Sequence, residues 1–184
     1  NQNLERRLER MLVGTAPGMP AAVFKPGQGK LIRPGSILIF QVHYTPNGSI
    51  QKDRTSVGLI LAKAPVEQVV VSYAIGNDRF RIPAGDPNYE VRSSFTFPED
   101  ARVLSAMPHM HMRGKDFSYT AVYPDGRREL LLNVPRWDFN WQQFYTFLED
   151  EFIDVYAGDT VRLRCEYDNS AANQPIVNGE RLEP

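Results

Sequence analysis

The sequence predicts an all-β chain: one or two antiparallel jelly-roll β-sandwiches with a short N-terminal helix in front. Three observations predict it. Short runs of β-branched and aromatic residues recur at fairly even spacing, turn-forming residues separate them, and the 14 prolines and 13 glycines are spread along the 184 residues. Helical folds seldom carry breakers distributed in this way.

The elements follow in order. Asn3 is a helix cap, and Leu4, Leu8, Met11 and Leu12 share one stripe, with Glu5, Arg6, Arg7, Glu9 and Arg10 elsewhere around it. This helix ends near Gly14 and is expected to cover a sheet edge or a domain join. Residues 14–35 are thick with proline and glycine and predict irregular chain with one brief strand. Residues 37–44 predict a strand whose alternation sets Ile37, Ile39, Gln41 and His43 on one face and Leu38, Phe40, Val42 and Tyr44 on the other. Both faces are mostly apolar, so this strand is expected to be central. The turn Thr45-Pro46-Asn47-Gly48 follows, and residues 56–62 form the next strand.

A domain boundary is expected at residues 63–66, around Pro65. Residues 1–65 would then be the C-terminal part of a first jelly roll with its leading helix, and residues 66–184 a second one, truncated at its end. Strands are predicted over residues 68–74, 79–82, 89–97, 102–111, 116–123, 128–134, 144–148 and 160–167. Turns at 83–87, 98–100, 123–126 and 157–159 separate several of them.

Composition excludes several function classes. The 21 basic and 22 acidic residues leave a formal net charge of −1, so the field used by nucleic-acid and anionic-membrane binders is missing. No apolar run approaches the ~20 residues that span a bilayer, and the first residues are charged where a signal peptide is apolar. Cys165 is the only cysteine, which rules out an intrachain disulfide and a zinc site built on several thiolates.

Two of the three histidines fall in Met107-Pro108-His109-Met110-His111-Met112-Arg113-Gly114. In extended chain, residues two apart project to one side, so His109 and His111 can close on a single ion, with Met107 on their face and Met110 and Met112 opposite. Imidazoles with a thioether in reach suit copper, Cu(I) above all, better than magnesium or calcium; zinc on the two imidazoles alone is also possible. The bland alternative is a pair of structural histidines with methionine as core filler.

Three segments carry a resemblance: Phe40-Gln41-Val42-His43-Tyr44-Thr45-Pro46-Asn47-Gly48, the run around His109 and His111, and Arg164-Cys165-Glu166-Tyr167-Asp168-Asn169-Ser170-Ala171-Ala172-Asn173. Together they resemble the copper type II, ascorbate-dependent monooxygenases, the family of peptidylglycine alpha-hydroxylating and dopamine beta-monooxygenases. Tyr123-Pro124-Asp125-Gly126 and Pro135-Arg136-Trp137-Asp138-Phe139-Asn140-Trp141-Gln142 look most like its bacterial members. The likeness runs from about Gly14 onward, in the family's order.

The resemblance implies two jelly-roll domains, each with one copper. His109 and His111 match two ligands of the copper that activates dioxygen and hydroxylates a C–H bond. His43 matches one of three histidines on the copper that relays electrons from ascorbate, and Gln41 matches a glutamine thought to help link the sites. The other two relay histidines have no counterpart before His43, and no methionine follows Met112 to serve as the remaining ligand, leaving Met107 or water for that position. Cys165 matches a position that, in animal members, pairs with a cysteine beyond this chain. These gaps imply a piece of a longer polypeptide that is inactive alone, and the resemblance implies a small-molecule substrate and dioxygen as partners and favours an exported location. Met107 stands where the peptide-hydroxylating enzyme has arginine, so specificity for peptide glycine is not implied.

Two competing readings stay open. Cupins also carry His-x-His on a jelly-roll strand, although they expect a glutamate shortly after and a later histidine, where this chain has only Asp116 and none. A non-catalytic sandwich with vestigial ligands is the other. Trp137, Phe139 and Trp141, with Phe144 and Tyr145, read as packed core rather than a ligand-stacking surface, and Asp168-Asn169-Ser170 as a turn rather than a calcium loop.

Overall fold

The computed structural model describes residues 11–16 and 18–184. Nearly everything regular in it is β, as expected. The predicted N-terminal helix falls on residues outside the described ones, apart from its last positions, Met11 and Leu12, which are irregular.

Twelve strands occur among the described residues: β1 (Gln28–Gly29), β2 (Gln68–Val69), β3 (Tyr89–Thr96), β4 (Ala101–Val103), β5 (Ser105–Ala106), β6 (Gly114–Val122), β7 (Arg128–Val134), β8 (Tyr145–Thr146), β9 (Ile153–Val155), β10 (Thr160–Tyr167), β11 (Ile176–Val177) and β12 (Glu180–Arg181). Four of them make the main antiparallel sheet, in the order β3-β10-β6-β7. The pairs β4–β9, β5–β8 and β11–β12 are short antiparallel ribbons, and β1–β2 is a short parallel one.

Alternation decides what the main sheet buries. Along β10, Val161, Leu163, Cys165 and Tyr167 point inward while Arg162, Arg164 and Glu166 point out. Register sets Phe117 and Val91 on either side of Cys165, and Met110 closes the same cluster from outside the sheet. A second cluster joins Phe97, Val155 and Val161.

Three predicted strands are absent, at residues 37–44, 56–62 and 79–82. Residues 37–44 and 56–62 have no ladder and are exposed throughout, with Ile39 and Ile60 at 90% and 94%. The expectation of a central strand is therefore wrong for 37–44. β-propensity measures how well a side chain fits a pleated, half-buried surface, and among the described residues no strand pairs with either run. Residues 68–74 shrink to β2, and 79–82 are irregular chain, where Phe80 packs on Tyr167 at 5.3 Å. The predicted strand 102–111 is two short strands, β4 and β5, followed by unladdered chain. Strand β9 was not expected; its Ile153-Asp154-Val155 is too short to show a period.

The outer face of the main sheet holds an ion network. Register places Glu166 across from Glu90 and Asp116. Arg164 donates to Glu90 at 2.6 Å and also to Asp116 and Glu166, while Lys115 donates to Glu166 at 2.8 Å. Hydrogen bonds from Arg92 and then Arg164 hold Glu90 below the usual glutamate range, and Lys115 does the same for Glu166. A carboxyl whose folded pKa is depressed contributes stability above its unfolded pKa, ~4.3, and that contribution is lost as pH falls through the folded value. The urea midpoint is expected to drop between about pH 5 and pH 3, and less steeply in Arg164→Met.

Candidate metal centre

Short β5 delivers the chain into Met107 to His111, which stays extended without ladder bonds. Period-two alternation survives there. Pro108 and Met110 are fully buried, whereas His109 and His111 are exposed. Met110 anchors the strip from below, packed into the Phe117–Cys165 cluster. A tight turn follows as predicted, with the Gly114 N–H donating to the His111 carbonyl at 2.9 Å. Gly114 must lack a side chain, because a Cβ would fall 2.5 Å from Trp137 Cδ1 and 2.9 Å from Met110 Cβ.

The two imidazole rings stand 5.2 Å apart, centre to centre, at 86°. A ring nitrogen lies ~2.0 Å from a bound first-row ion, which puts the ring centre ~3.2 Å from it and two rings at a tetrahedral opening ~5 Å apart. The spacing fits two ligands on one ion. Partial desolvation of the ring by its neighbours is the main reason His109 titrates below its ordinary value; the bond to Gln142 works the other way, and the charges of His111 and His43 add to the lowering. That lowering favours the neutral ring, the form that ligates metal. Among the described residues, no three His, Cys, Asp or Glu side chains are grouped to hold an ion.

Two features near the pair were missed in the sequence. Gln142 Oε1 lies 2.7 Å from His109 Nδ1, and the Phe139 ring stands edge-on to His111 at 6.4 Å. Phe139, Trp141 and Phe144 are exposed, which corrects the core reading for them; Trp137 packs against the core as expected. The run Pro135 to Gln142 was already conspicuous for its aromatic alternation and its family likeness, but neither signal pointed to a contact with His109 or His111.

The other candidates lie as follows. His43 is exposed on unladdered chain, near enough to His109 for its charge to act there, and Gln41 is exposed on the same segment. Met107 is half-buried, and its carbonyl accepts from the Tyr119 hydroxyl at 3.3 Å. Cys165 is a buried free thiol with its pKa pushed up to about 12 by desolvation, which keeps the thiol protonated. Asp168 caps its own turn, accepting from the Ser170 N–H at 2.8 Å, as the sequence implied.

The model for the C-terminal domain of copper type II ascorbate-dependent monooxygenases matches residues 78–183. The chain belongs to that family. The match covers the main sheet, the His-x-His strip and the Pro135–Gln142 run, and it sets the cupin reading aside. Copper type II ascorbate-dependent monooxygenases use copper and ascorbate, and monooxygenase chemistry takes dioxygen and a small-molecule substrate. No curated protein and no solved structure matches the chain. No described helix is long and apolar enough to cross a membrane.

Proposed function

We propose that His109 and His111 are the copper ligands of this monooxygenase domain, with Met107 or water completing the set. The observation that carries this is two imidazoles 5.2 Å apart on an exposed strip whose alternate residues, Pro108 and Met110, are locked in the interior. Copper held there would supply the one-electron exchange by which ascorbate's electrons and dioxygen hydroxylate a C–H bond. The chain's own part is to hold two rings at the spacing one ion needs and to leave their outer side open to a small molecule. His43 belongs, in this reading, to the electron-supplying site, with Gln41 beside it.

The wider arrangement follows the same reading. Residues 1–65 are the C-terminal part of a first jelly-roll domain and residues 66–184 most of a second, in a protein exported from the cytoplasm. The β1–β2 ladder and the Lys30 Nζ bond to Ser72 Oγ at 2.8 Å join the two stretches.

Copper titration of the metal-free chain tests the proposal. One site is expected, with Cu(II) electron paramagnetic resonance showing nitrogen couplings from two imidazoles. A chain that takes up no copper, or binds it with no imidazole coupling, would instead be a binding module with vestigial ligands.

A further inference from the structure

The geometry points to Gln142 as the residue that determines which ring nitrogen of His109 faces a metal. This assignment rests on His109 being a copper ligand, and it adds a positioning residue to that site.

Register brings the two side chains together. In the β5–β8 ribbon, Ser105 pairs with Thr146 and Ala106 with Tyr145. Three residues onward from Ala106 and three back from Tyr145, the same register sets His109 opposite Gln142, although the ladder itself has stopped. Directly opposed residues of antiparallel chains share a face, and Gln142 Oε1 reaches His109 Nδ1 at 2.7 Å.

The direction of that bond follows from a second one. Gln142 Nε2 donates to the Phe139 carbonyl at 2.9 Å. A main-chain carbonyl only accepts, so the amide NH2 faces Phe139 and the amide oxygen faces the ring. An amide oxygen also only accepts, so the proton lies on His109 Nδ1. A neutral imidazole carries one N–H, and Nε2 is left with the lone pair a metal requires. Without Gln142 the proton would exchange between both nitrogens, and some molecules would keep Nε2 blocked.

The run that carries Gln142 is itself fixed. Trp137 N–H donates to the Lys115 carbonyl at 2.8 Å, Trp141 N–H to the Asp138 carbonyl at 3.0 Å, and Asn140 N–H to Asp138 Oδ1 at 2.8 Å. Gln142 is thus held before any metal arrives, which is what a partner orienting a ligand must be.

Histidine tautomers in the metal-free 184-residue chain provide the test. With three histidines, long-range proton–nitrogen correlations at about pH 8 resolve each ring, and His109→Ala identifies its signals. Wild type is expected to show His109 as the Nδ1–H tautomer. Gln142→Leu should shift it to a mixture and weaken Cu(I) binding about 10–100-fold. Gln142→Glu, whose carboxylate also accepts from Nδ1–H, should restore the tautomer. An Nε2–H signal in wild type, or an unchanged pattern in Gln142→Leu, would overturn the assignment. If the tautomer responds as described while Gln142→Leu and His109→Ala both bind Cu(I) like wild type, the ligand reading fails, and the positioning role falls with it.

Discussion

His109→Ala and His111→Ala are each expected to weaken Cu(I) binding by more than about 100-fold, beyond the 10–100-fold loss that follows removal of a residue that only supports a ligand. The two rings are the nitrogen donors that the strip presents side by side, and deleting either leaves one imidazole with a thioether or water. Competition against a chromophoric Cu(I) chelator measures the change directly. The substitutions lie on exposed positions, so the core beneath them, Pro108 and Met110, keeps its packing and the fold is expected to persist. Equal affinity in both variants and in wild type would remove His109 and His111 from the site.

Phe117→Ala is expected to lower stability by about 3–5 kcal/mol. Phe117 is 1% exposed, lies opposite Cys165 across β6 and β10, and meets Tyr119 ring to ring at 4.7 Å. Its neighbours are held by strand ladders and cannot collapse into the space left behind, which places the loss toward the upper end of the range. Met110 belongs to the same cluster, so the cavity opens directly under the histidine strip. Urea unfolding checks the number, and a loss below about 1 kcal/mol would show that Phe117 is not a central core residue.

The sequence was most legible where the signal was local. Residues 89–97, 116–123, 128–134 and 160–167 combine alternation with turn residues at their ends, and β3, β6, β7 and β10 lie there. The sidedness of His109 and His111 was legible for the same reason: alternation is a property of extended backbone and holds where ladder bonds have ended. What could not be read was partnership. Residues 37–44 have the composition of a buried strand, but composition says nothing about which segment pairs with it. Gln142 was hidden similarly. It is 33 residues from His109, and only the β5–β8 register, set by two two-residue strands, brings them face to face.

The open stretch that contains residues 37–62 changes how this chain should respond to denaturant. The steepness of urea unfolding scales with the surface newly exposed, and a segment already bathed in water adds nothing to it. A chain of 184 residues would ordinarily unfold with the slope of its full length. Here the slope should match a protein the size of the sheet-forming part alone, so its midpoint reports on the main sheet and the His-x-His strip fastened to it.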